Sequence, residues 1–121
     1  MLYKKEKRKF NRLAVYHLVK YRLISKPKDE LTVAHIKDIG GGGVQIVTED
    51  KFAKDDTLQL YINFPHILSP IPCLAKVEWT RKITKSSRYE SGLQFIEIED
   101  ILRQEMIKQI DQTRASKMWK N

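Results

Sequence analysis

Residues 57–64, TLQLYINF, place Leu58, Leu60, Ile62 and Phe64 on one side of an extended chain and Gln59, Tyr61 and Asn63 on the other. Strict alternation of this kind belongs to a strand with one buried and one wetted face. The same period recurs along the chain. Leu13, Val15, Val19, Tyr21 and Leu23 share one face of a first strand, and LTVAHIKDI (31–39) and VQIVTE (44–49) read as the second and third. Cys73, Ala75, Val77 and Trp79 point one way in a fifth strand, and GLQFIEI (92–98) is a sixth. Pro27 marks the turn after the first strand. PHILSPIP, with three prolines, reads as irregular or as a sheet edge, and RKITKSSRYES reads as a connection.

After EIED the period changes. Leu102, Met106 and Ile110 step by four, flanked by Ile107 and Met118, which predicts an amphipathic helix from about Ile101 to Lys117. Strands this short and this closely spaced, followed by one helix, predict a mainly all-β fold: a small six-stranded antiparallel β-barrel with a C-terminal α-helix. The expected organisation is a basic arm at 1–12, the barrel at 13–98, and the helix and tail at 99–121. A chain of 121 residues suffices for one modest core.

Charge is distributed unevenly. Ten of the 23 Lys/Arg residues and one of the 15 acids lie in residues 1–28, so the whole net charge of +8 sits at that end. An anionic partner follows as an expectation. No run of about 18 apolar residues is present, so no membrane span is expected. The single cysteine, Cys73, has no internal disulfide partner, which agrees with a reducing, cytoplasmic bacterial setting. His17, His35 and His66 fall on separate elements without metal-ligand spacing, so no metal is expected. No acid pair and no Ser/His/Asp arrangement stands out, and enzymatic activity is not expected.

Four of the five glycines are consecutive, Gly40 to Gly43. A phosphate-binding P-loop needs a lysine and a hydroxyl residue next, but Val44 and Gln45 follow. A dinucleotide fingerprint fails because Gln45 occupies its third glycine position. What remains is a turn between two strands, where glycine permits either positive φ or close approach of another group.

The basic arm contains RKFNR, with Arg8 and Arg12 four apart. DIGGGG places Asp38 five residues before Gly43. Together these resemble the motifs of the PilZ family, R-x-x-x-R followed by D/N-x-S-x-x-G. Gly40 stands where the family usually has serine, and KVEWTR and ESGLQFIEIED look like late strands of that barrel, with Gly92 and Phe95 at typical places. The resemblance covers about residues 6–112. It implies a non-catalytic receptor for cyclic di-GMP that needs no other cofactor. Arg8, Arg12, Asp38, Gly40 and Gly43 would hold the ligand, and Lys7, Lys9, Gly41 and Gly42 would assist. Lys7, just before the first motif arginine, points to a stacked ligand pair.

The chemistry is consistent with this. A guanidinium forks onto guanine O6 and N7 or onto phosphate, and a carboxylate accepts guanine N–H groups. Signalling would proceed by ordering of the arm and an altered surface for an unidentified protein partner, in a monomer or weak dimer. The alternative is a degenerate PilZ-like interaction module that no longer binds nucleotide. A small-barrel nucleic-acid binder is the third reading, but no aromatic stacking face is evident for it. Trp79 and Phe95 are both expected in the core.

Overall fold

The computed structural model describes residues 18–26, 30–65 and 67–120, with side chains through residue 112. Six strands run in order: β1 (Leu18–Leu23), β2 (Thr32–Ile39), β3 (Gly43–Thr48), β4 (Thr57–Ile62), β5 (Ile71–Lys82) and β6 (Tyr89–Glu97). They close into an antiparallel barrel with neighbours in the order β1-β2-β3-β6-β5-β4. The helix α1 (Asp100–Lys120) follows. Asp100 opens it, an acid near the positive end of the helix dipole.

Alternation in the sequence becomes alternation across the barrel wall. Leu58, Leu60, Ile62 and Phe64 are all buried, and Val19 and Tyr21 face inward from β1 while Leu18 faces out. Ile36, Ile46 and Val77 complete the middle of the same core. Each fully buried aliphatic side chain of this kind contributes roughly 1.5–3 kcal/mol of burial free energy. Met106 and Ile110 of α1 join the core, with Leu102 packed against it. The four-residue step thus lays one apolar stripe of the helix on the barrel.

Two boundaries and the facing of one side chain differ from the sequence reading. First, β5 begins at Ile71, inside the segment read as irregular or as a sheet edge, and at this end the strand is an edge. Ile71 and Pro72 pair with Ile62 and Tyr61 of β4, whereas pairing with β6 begins only at Leu74. Pro72 therefore sits where its missing N–H disrupts no ladder on the β6 side. Second, β5 and β6 extend into both ends of RKITKSSRYES, down to Lys82 opposite Tyr89. The apolar alternation stops there because this hairpin extends beyond the core and Arg81 and Lys82 are exposed.

Third, Trp79 does not share the inward face of Val77. A bulge between Val77 and Trp79 makes Glu78 an extra residue. Every later side chain changes sides, so Thr80 turns in and bonds the Ser91 hydroxyl at 3.0 Å, while Trp79 turns out and is 38% exposed. Phe95 is buried, as expected. First-strand residues 13–17 and the arm at 1–12 lie outside the described residues.

Candidate functional site

The glycine turn joins β2 to β3. None of the glycines has positive φ, so left-handed backbone is not why they are there. Close approach is the reason at Gly43. A Cβ built on it would stand 2.3 Å from the Leu93 carbonyl oxygen of β6. The Gly40 N–H donates to the Gly43 carbonyl at 2.9 Å, and the Phe95 N–H donates to the Gly42 carbonyl at 3.0 Å. The turn is thereby stitched to β6. Gly41 lies beneath α1, where a Cβ would meet Ile107 Cδ1 at 3.3 Å, while at Gly40 and Gly42 a Cβ would meet nothing within 4 Å.

A second bulge lies in β2, between Ile36 and Asp38. Its sequence trace is the spacing of the buried residues: Ala34 and Ile36 are two apart, but Ile39 is three further on. The extra residue, Lys37, sends Asp38 outward. Asp38 is then the register partner of Gln45, Gln45 of Gly92, and Gly92 of Trp79. These four residues form one row across β2, β3, β6 and β5 on the outer face of the sheet.

Above this row is an open cleft of about 400 Å³, lined among others by Asp38, Gly40, Gly43, Gln45, Trp79 and Gly92. The indole lies directly on Gly92, where a Cβ would come within 2.3 Å of Trp79 Nε1. Gly92 is therefore the recess that seats the aromatic wall. Asp38 Oδ1 accepts the Ile39 N–H at 3.0 Å. Among the described residues lining the cleft, Asp38 and Glu78 are the only charged ones, and both are acids.

Two residues along β6 from Gly92, on the same outer face, Glu90 is buried at 4% exposure. Its Oε1 accepts hydrogen bonds from Arg81 Nε at 3.1 Å and Nη2 at 2.9 Å. Lys37 Nζ approaches Oε2 at 2.6 Å, reaching across β3. The Lys37 ammonium, and after it the Arg81 guanidinium, hold the carboxyl below its usual range against the opposing effect of burial. The Arg81 guanidinium carbon lies 5.5 Å from the centre of the Trp79 ring.

Of the residues singled out in the sequence, Asp38, Gly40, Gly42 and Gly43 come together on the cleft. Gly41 is under the helix instead. Arg8, Arg12, Lys7 and Lys9 lie outside the described residues. Trp79, Gln45 and Glu90 were not singled out as site residues. The broken spacing in β2 could have revealed the outward turn of Asp38, but no comparable signal precedes Trp79.

Cys73 is buried, and burial pushes its thiol up to about 12, so it is not a nucleophile near neutrality. No cluster of metal-ligating side chains exists among the described residues. His35 is exposed on β2, and His17 and His66 lie outside the described residues. No helix among the described residues is long and apolar enough to cross a membrane.

Comparison with known proteins agrees with this architecture. MrkH of K. pneumoniae in its apo state superposes with a TM-score of 0.73 at 17% identity, over 87% of this chain and 49% of that one. The Bacillus subtilis inhibitor of motility, MotI/DgrA, superposes with a TM-score of 0.69 at 20% identity, over 83% of this chain and 47% of that one. The chain thus spans about half the length of these similar structures, and the likeness establishes the fold. No curated protein matches significantly. Residues 6–112 match the PilZ domain, a span that runs from the basic arm through the barrel into the helix. This chain is a member of the PilZ domain family.

Proposed function

We propose that this protein is a non-catalytic receptor for cyclic di-GMP, which it binds in the cleft above the Asp38–Gln45–Gly92–Trp79 row. The observation that carries the reading is the convergence of the glycine turn and the exposed indole on one open cleft, in a chain of this family. Guanine is flat and carries N–H donors on one edge. The Trp79 face offers it a stacking surface and Asp38 an acceptor. The described lining contributes carboxylates and no cations. A ligand with two phosphates therefore needs positive charge from elsewhere, and the chain concentrates that charge in its arm. In this reading Arg8 and Arg12 supply it, Lys7 and Lys9 steer the ligand in, and closing the arm over the cleft creates the surface that a protein partner reads.

Titration calorimetry with cyclic di-GMP tests the reading directly. Saturable binding is expected, together with slowed amide exchange of residues 4–12 in the complex. The absence of heat or of any competing signal at millimolar nucleotide would favour an interaction module that has lost its ligand.

Gly40 gives a second test. Its position is open, so a serine side chain fits there without displacing anything. Gly40→Ser is expected to tighten binding by about two- to tenfold, the worth of one added hydrogen bond. An unchanged dissociation constant would place the ligand away from that turn.

A further inference from the structure

We propose that Glu90 is a positioning residue for the nucleotide cleft, acting through Arg81 to hold the Trp79 indole as a fixed wall. The inference deepens the cyclic di-GMP reading and rests on it for its affinity arm.

The contacts form a chain with one free end. Glu90 is buried and cannot itself reach a ligand in the cleft. Its Oε1 takes two nitrogens of Arg81, which fixes the plane of a guanidinium that is otherwise 66% exposed. The guanidinium lies against one side of the indole, and Gly92 receives the ring from below. Lys37 closes on the other carboxylate oxygen from β2, so the clamp is anchored on three strands. The Thr80–Ser91 bond ties the same hairpin on its inner face. Without the clamp, Trp79 would be an exposed side chain on a hairpin that leaves the core, free to sample other rotamers.

Charge alone makes the opposite prediction. Glu90 is an anion near the proposed site of an anion, so its removal should help binding if it acted only through its field. A positioning role requires that its removal hurt. The sign of the effect therefore separates the two accounts.

The test uses the full chain carrying Trp119→Phe, which leaves Trp79 as the sole tryptophan. In that background, Glu90→Gln and Arg81→Gln are each expected to lower the steady-state anisotropy of Trp79 and to weaken its near-ultraviolet circular dichroism. Each should also raise the dissociation constant for cyclic di-GMP by roughly three- to fivefold, the scale of one exposed cation–π contact. The double variant should be no weaker than either single one, because the two residues act as a unit. Arg81→Gln, at an exposed position, serves should Glu90→Gln fail to fold. Unchanged Trp79 signals in the folded variants, or tighter nucleotide binding by Glu90→Gln, would overturn the proposal. If the parent protein binds no cyclic di-GMP, the functional reading falls, and the Trp79 signals alone decide whether Glu90 positions the ring.

Discussion

Arg8→Ala and Arg12→Ala should each weaken cyclic di-GMP binding by about 30- to 1,000-fold while leaving the melting temperature nearly unchanged. The size follows from the charge pattern of the cleft. The described lining offers Asp38 and Glu78 to a ligand that carries two negative phosphates. In the proposed reading, cations of the arm offset that mismatch. A charge-assisted hydrogen bond is worth roughly 1.5–3 kcal/mol, and a guanidinium that forks onto guanine or phosphate makes two in a fixed geometry. Replacement by lysine should recover only part of the loss, since an ammonium has charge but no planar fork. Calorimetry at two salt concentrations checks the claim: the parent should lose affinity with salt more steeply than either alanine variant. If both alanine variants retained the parent's affinity, the arm would have no part in binding.

Gly43→Ala is expected to lower stability by about 2–3 kcal/mol and the melting temperature by roughly 8–12 °C. The added methyl would lie 2.3 Å from the Leu93 carbonyl oxygen. That oxygen is main chain, held in the β3–β6 ladder on which six register pairs depend. No rotamer change relieves the contact, so the two strands must separate. Gly40→Ala, three residues away in the same turn, meets nothing within 4 Å and should melt close to the parent. Circular dichroism melts of the two variants side by side give the answer. Equal midpoints would show that the close approach carries no energetic weight. Because β3 and β6 form the floor between Gln45 and Gly92, the Gly43 variant should also bind nucleotide less tightly.

The fold was legible wherever one wall of a strand faced the core. In β4 and just beyond it the apolar positions 58, 60, 62 and 64 are all buried, and in α1 the step from Leu102 to Met106 to Ile110 marks the packed stripe. Legibility failed where a strand had no core beneath it. Near the outer end of the β5–β6 hairpin Arg81 and Lys82 are both exposed, so they carry no alternation to read. At Pro72 the sheet-edge alternative applies, since Ile71 and Pro72 pair with β4 alone; which of the two alternatives applies is set by the barrel's closure. The candidate site was legible through Asp38 and the glycines, whose types and spacing are distinctive. Trp79 was assigned inward by counting twos from Val77. Counting fails at a bulge, and in β5 no change in residue type announces one. Glu90 looked like one acid among fifteen, and only the pairing of β6 with β5 and β3 shows what surrounds it.

The two extra residues, Lys37 and Glu78, have a consequence for evolution within such barrels. Each is a one-residue parity change that carries one functional side chain from the interior to the exterior and reverses the facing of the strand residues after it. Deleting Glu78 would return the indole to the hydrophobic interior and expose Thr80, erasing the aromatic wall while leaving the tryptophan in the sequence. In this barrel the number of residues separating Val77 from the tryptophan, rather than the tryptophan's presence, decides whether the outer surface has a ring to offer.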